Sequence, residues 1–197
     1  MTCVTAKVIT KGEQTRRAIL VAAIERFGRD GFRATSVADI AREAGVSGTA
    51  AYAYFPNKEA LFLAAIDEDA AAVIHEGLSV LEGPSLEEWR RSLVFTLIDS
   101  VERHPLARRL LSGLEPEVTD RVMGIPALEE LRKAIAERLR SEQAAGVVRA
   151  DIDPVVIGNG VVAIVLSLLV AMVQVDRTAA LTYADDVAAV FAAAIEA

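Results

Sequence analysis

Ser36-Val-Ala-Asp-Ile-Ala-Arg-Glu-Ala-Gly-Val-Ser-Gly-Thr-Ala-Ala-Tyr-Ala-Tyr-Phe55 is the stretch that decides how this chain is read. It divides into two short helices joined by one turn. The first starts near Ser36 and carries Val37, Ile40, Ala41 and Ala44 on one apolar face, at helical spacing. Gly45 ends it, because glycine enters the left-handed conformation without a steric cost, and Val46 is expected to be the buried residue of the turn. Ser47 suits the N-cap of the second helix, its hydroxyl accepting a hydrogen bond from a free N–H. That second helix is about two turns long and carries Tyr52, Tyr54 and Phe55. Two short helices meeting at a glycine turn form a helix-turn-helix, whose second helix enters the DNA major groove.

A helical hairpin inside any all-α protein would share the periodicity and the glycine. The residues that follow favour the DNA-binding reading. Pro56 stops the short helix, and Asn57-Lys-Glu-Ala-Leu-Phe62 starts another at once. Asn57 is a good N-cap, while Lys58 sits in a first turn that ordinarily prefers acids. A lysine there is at odds with the helix dipole unless an anion is near, and a DNA phosphate is such an anion.

The order Gly31-Phe-x-x-Thr35, Ile40-Ala-x-x-Ala-Gly-Val-Ser47, then Tyr52-x-Tyr-Phe-x-x-Lys58-Glu-x-Leu-Phe62 resembles the DNA-binding domain of TetR-family repressors. The resemblance covers about the first 60 residues. One departure stands out: the Gly48-Thr49 pair lies one position earlier than is usual, and Ala50 occupies a position often held by threonine. The resemblance implies that Thr35, Ser36, Ser47, Gly48, Thr49, Tyr52, Tyr54 and Lys58 face DNA. It also implies a homodimer built on the last two helices, with Val162, Leu166, Val170, Val187 and Phe191 in the interface. Finally, it implies an effector pocket between the fourth and seventh helices, lined by the fifth.

Composition sets the outer bounds. The chain has 197 residues, 53% of them apolar and 25% charged, enough for a substantial core and too apolar for disorder. The single cysteine, Cys3, allows no disulfide within the chain and fits a reducing cytoplasm. The N-terminus has no apolar run of the signal-peptide kind. The net charge of −7 argues at first against a nucleic-acid partner. Its distribution reverses that: residues 1–60 hold nine basic and six acidic side chains, +3, and the remainder holds 12 and 22, −10. A basic head on an acidic body suits a protein that meets DNA at one end.

Every segment reads as helix, about nine in all, giving an all-α chain. A three-helix DNA-binding head is expected over residues 12–60, with the helix-turn-helix at about 36–55. A helical effector-binding and dimerisation domain is expected over 61–197. Helix one runs from about Gly12 to Asp30, with Ile19, Ala23 and Phe27 inward. Helix four leaves the head at Lys58 and reaches about Gly77. Helix five opens at Pro84, with Ser85 and Glu88 as a capping box, and His104-Pro105 breaks it before a short sixth helix. Glu115 to Pro126 is turn-rich, with room for a short helix. Helix seven covers about Pro126 to Ala145, with Leu128, Leu131, Ile135 and Leu139 inward, and Gly146 to Asp153 connects it onward. Helix eight, about Pro154 to Val175, carries no charge and is long enough to span a bilayer. Asn159, Gln174 and two glycines interrupt it, however, and Asp153 and Asp176 flank it without basic anchors. A helix apolar all round needs cover on all sides, so a second copy of the chain is expected there rather than a membrane. Helix nine, about Thr178 to Ile195, has a weaker stripe of Leu181, Val187, Val190, Phe191 and Ile195.

Candidate pocket groups are Trp89, Phe95, Thr96 and Asp99 on helix five and His104 beyond it. Trp89 and Phe95 also suit plain core positions. Asp99 stands among Leu97, Ile98 and Val101, so partial burial is expected, with an arginine or a ligand as its partner. His75 and His104 lie far apart, no metal-ligand spacing occurs, and no phosphate loop or nucleophile motif appears. No enzyme, metal or cofactor is expected. The expected function is a DNA-binding transcriptional regulator, a repressor released from a palindromic operator by a small, mainly lipophilic effector. The alternative is a helical interaction module or small-molecule carrier without DNA binding.

Overall fold

The computed structural model describes residues 10–83, 85–118, 122, 124–175 and 177–196. Cys3, Lys7, Pro84 and Asp176 lie outside the described residues, as does the Leu181 side chain. The described residues form nine α-helices and one isolated β-bridge. They fall into two compact units, the first ending at Ile66 and the second starting at Asp67.

The first unit holds α1 (Lys11–Ala34), α2 (Val37–Glu43), α3 (Gly48–Tyr54) and the start of α4 (Lys58–Val80). Thr10 caps α1 in a reciprocal box with Glu13, satisfying two N–H groups that no helix turn can reach. Gly31, at φ +82°, breaks α1 near its end, a conformation open to glycine. Thr35 Oγ1 then donates to the Gly31 carbonyl at 2.8 Å. Ile19, Ala23, Phe27, Ile40, Leu61 and Phe62 form the core, and Phe27 meets Phe62 edge-on at 4.8 Å between centroids. Ser36, Ser47 and Asn57 cap α2, α3 and α4 by accepting from Asp39 N, Ala50 N and Ala60 N. Gly45 adopts φ +70°. Val46, expected to be buried in the turn, is half-buried.

The second unit contains the rest of α4 with α5 (Leu86–Arg103), α6 (Pro105–Leu111), α7 (Pro126–Ala144), α8 (Pro154–Gln174) and α9 (Arg177–Ile195). Among the described residues of the turn-rich segment, Pro116–Val118 forms a 3₁₀ turn and Val122 is helical. Helix α4 continues past Gly77, the expected end, because that glycine serves packing rather than termination. A Cβ there would stand 2.8 Å from Leu97 Cδ2, closer than any unstrained contact. Pro105 starts α6, which has no cap of its own. Asp69 of α4 supplies one: Oδ2 accepts from Ala107 N at 2.8 Å, and Oδ1 lies 2.7 Å from His104 Nδ1.

Trp89 is fully buried and donates from Nε1 to Glu142 Oε1 at 3.2 Å. Arg138 Nε donates to the same oxygen at 2.7 Å, and its Nη1 to the Leu81 carbonyl at 2.9 Å. Oε1 of the buried carboxylate is thus paired and hydrogen-bonded, whereas Oε2 has no hydrogen-bond partner among the described residues. The α7–α8 connector holds the end of α9 through Arg149 N to the Ile195 carbonyl at 3.0 Å. Helix α8 is the one described helix long and apolar enough to cross a membrane. Here it packs against α5, α6, α7 and α9, and Gly158 lets the α7 backbone approach.

Candidate nucleic-acid interface and apolar cavity

Helix α3 owes its position to three local signals: the Ser47 cap, the buried Ala51 and Phe55 on one side, and Pro56 beyond its end. This seating turns Thr49, Tyr52 and Ala53 outward, with Tyr52 53% exposed. Gly48 and Tyr54 are half-buried. Tyr54 stands beside the first turn of α1, its hydroxyl 3.6 Å from where a Cβ on Gly12 would lie. Arg16 stacks over the Phe55 ring at 5.1 Å. Arg16 of α1 is thus placed beside the end of α3, and Lys11 and Arg17 of the same helix are exposed.

Thr35 corrects an expectation. It is 2% exposed and its hydroxyl is bonded to Gly31, so it fixes the α1–α2 corner and has no surface to offer DNA. Ser36 is exposed, but its hydroxyl donates to Asp39 Oδ2 at 2.6 Å while accepting from Asp39 N. That bond, with Arg42 beside it, holds the Asp39 carboxyl below its ordinary value. Lys58 is half-buried, its ammonium 4.4 Å from the Phe32 ring centroid and 3.4 Å from the Arg33 carbonyl. These local partners explain a lysine in that turn without any anion. Arg26, Arg29 and Arg42 pair with Glu43, Asp30 and Asp39, so three of the nine basic side chains in residues 1–60 are neutralised locally.

In the second unit, nineteen side chains from α4 to α8 and the α6–α7 connector enclose a cavity of about 60 Å³. Ile74, Leu97, Leu110, Leu131, Val162 and Leu169 represent its walls, and every described lining residue is Ala, Val, Leu or Ile. None of the five candidate pocket residues lines it. Trp89 packs on the far side, against Phe191, with ring centroids 6.5 Å apart. Phe95 and Thr96 are half-buried elsewhere on α5. Asp99, expected to be partly buried, is exposed, because at about 100° per residue it turns away from Leu97 and Val101. His104 is occupied by Asp69. The true lining had a signal in the i, i+4 rows Leu93/Leu97/Val101 and Val161/Val165/Leu169, but a row of aliphatics reads equally as solid core.

The interface candidates separate in the same way. Val162 is 3% exposed and so enclosed within its own chain, whereas Phe191 packs against Trp89 and also lines the outward groove. Leu166 lines the cavity, and Val170 and Val187 are half-buried. The outward apolar groove includes two of the expected residues, Val187 and Phe191, with Tyr183 and Val190 of α9 and with Val156, Gly160 and Ile164 of α8. Among the described residues no cluster of ligating side chains of metal-site size occurs.

The fold and the capped, outward-facing α3 define a helix-turn-helix DNA-binding protein. Residues 19–65 match the family of bacterial regulatory proteins, tetR family. The N-terminal head is thus a TetR-family DNA-binding domain. The chain is 25% identical over 149 residues to YdgC of Bacillus subtilis, an uncharacterised HTH-type transcriptional regulator, covering 73% of each chain. It is 43% identical over 65 residues to the HTH-type transcriptional regulator RutR of Escherichia coli, a match spanning 30% of this chain and 31% of RutR. A crystal structure of a TetR-family regulator from Mesorhizobium loti shares the fold, with a TM-score of 0.77 at 22% identity over 95% of this chain and 100% of that one.

Proposed function

We propose that this regulator is a repressor that grips a palindromic operator as a homodimer and is released by a neutral, aliphatic effector. The observation carrying this reading is the aliphatic cavity. Ala70, Val73 and Ile74 of α4 belong to its wall, and α4 is one continuous helix from Lys58 onward. A molecule lodged in the cavity bears directly on that helix. With no polar side chain among the described lining residues, ligand affinity comes from apolar burial, about 25 cal/mol per Å². The present volume is far below the roughly 300–1,000 Å³ of ligand pockets, so occupancy requires the walls to part. Binding and conformation are therefore linked, and the effector shifts a population rather than unfolding the domain.

The outward α8–α9 face suits the dimer contact. A twofold axis there matches a palindrome with half-sites about 34–36 Å apart or a multiple of it. The cytoplasm, where DNA lies, is the expected compartment. The test is a mobility shift on duplexes that the protein itself enriches from random-sequence DNA, followed by titration with neutral lipophiles, lipophilic cations and anionic sugars. Release by neutral lipophiles alone is the expected result. Release only by an anionic sugar overturns the effector assignment. Failure to enrich any DNA, with lipophiles still bound, leaves the carrier reading.

A further inference from the structure

We propose that α3 reads its operator through thymine methyl groups and groove shape, not through paired hydrogen bonds to guanine or adenine. The inference rests on the DNA-binding reading of the head and specifies what that head recognises. Paired recognition of guanine O6 and N7 takes an arginine or lysine, and that of adenine N6 and N7 an asparagine or glutamine. Helix α3, Gly-Thr-Ala-Ala-Tyr-Ala-Tyr, carries none of these. Its outward groups are the Thr49 methyl and hydroxyl, the Tyr52 ring and hydroxyl, and the Ala53 methyl. Each hydroxyl can donate or accept and is therefore satisfied by several base edges, whereas a methyl against a thymine methyl marks one base.

Five of the neighbouring cations have local partners. Arg42 at the end of α2 pairs with Asp39, Arg26 with Glu43, and Arg29 with Asp30. Arg16 lies over Phe55, and Lys58 over Phe32. The one amide in the turn after α3, Asn57, caps α4 with its oxygen. Gly48 adds an independent sign. Its φ is not positive, and a Cβ there would meet nothing within 4 Å. The fold therefore does not ask for glycine, and the bare first turn leaves room for close approach of a groove wall. With few base-specific bonds, the remaining discrimination comes from the cost of shaping the duplex to the two heads, which depends on sequence at untouched steps.

The test uses the full-length protein and duplexes it enriches from random DNA. Thymines are replaced one at a time by deoxyuridine, which removes only the methyl, and purines by their 7-deaza analogues, which remove the N7 acceptor. At least one uridine position per half-site is expected to weaken binding about fourfold, the equivalent of one buried methyl. The 7-deaza duplexes are expected to bind within about twofold of the parent. Thr49→Ser, which keeps the hydroxyl and drops the methyl, is expected to erase the effect at one thymine and leave the others. Losses of about tenfold or more with 7-deazaguanine, alongside indifference to uridine, overturn the proposal while leaving the DNA-binding reading intact. Failure to enrich any DNA overturns the DNA-binding reading itself.

Discussion

Ile164→Asp tests which side of α8 meets a second subunit. Ile164 is 41% exposed, in an open groove with Val156, Gly160, Tyr183 and Val190. Full burial of an isoleucine side chain stabilises by about 1.5–3 kcal/mol. Covering the part still exposed therefore contributes about 1 kcal/mol per subunit, or about 2 kcal/mol per dimer. An unpartnered carboxylate in the covered groove costs about 2–3 kcal/mol more in each copy, and Asp186, which also lines the groove, adds like-charge repulsion. The sum, about 6–8 kcal/mol, weakens dimerisation at least ten-thousandfold, at about 1.4 kcal/mol per decade. Sedimentation velocity across a concentration series reads that change. Fluorescence of Trp89, the one tryptophan in the chain, shows whether each subunit remains folded. Val162→Asp is the contrast. Two positions away, Val162 is enclosed in the cavity wall, so its variant is expected to unfold rather than to yield a folded monomer. A dimer unchanged by Ile164→Asp, or a folded monomer from Val162→Asp, refutes the assignment of the two faces.

Lys58→Ala is expected to weaken binding on all DNA sequences alike and to lower the salt slope by about one for each phosphate that the ammonium neutralises. An unchanged slope would leave Lys58 as a partner of Phe32 only. Leu131→Ala, which enlarges the aliphatic cavity, is expected to cost about 2–5 kcal/mol in denaturant melts followed by Trp89 fluorescence. Neutral lipophiles should recover part of that loss, and recovery by charged compounds alone would contradict the lining. Ser36→Ala is expected to raise the Asp39 carboxyl toward its ordinary value of 3.8, since the Ser36 hydroxyl is the chief cause of its depression. A depressed carboxyl contributes stability that is present above the unfolded-state value and lost as pH falls through the folded one. The variant should therefore lose less on acidification, and an unshifted Asp39 resonance in an NMR titration would count against that cause.

The local features were legible in sequence because their causes are local. Ser36, Ser47, Asn57 and Ser85 each cap the helix that follows within three residues, and Gly45 turns where only glycine turns cheaply. Long-range questions were not legible, because helical periodicity says that a side is apolar without saying what it faces. Helix α8 is apolar all round. Only its neighbours α5, α6, α7 and α9 decide that Val162 closes a cavity while Ile164, about 200° further round the helix, looks outward. Asp99 sits beside buried residues in sequence and outside them in space. Thr35 carries a hydroxyl that suits DNA, but a glycine carbonyl four residues earlier takes its proton. Gly77 looked like a helix end until Leu97 of α5 stood against it. Capping and turn chemistry act within a few residues of chain, so the sequence contains them. Which apolar atom meets another helix, a cavity or a partner depends on elements far apart in sequence, and packing alone decides it.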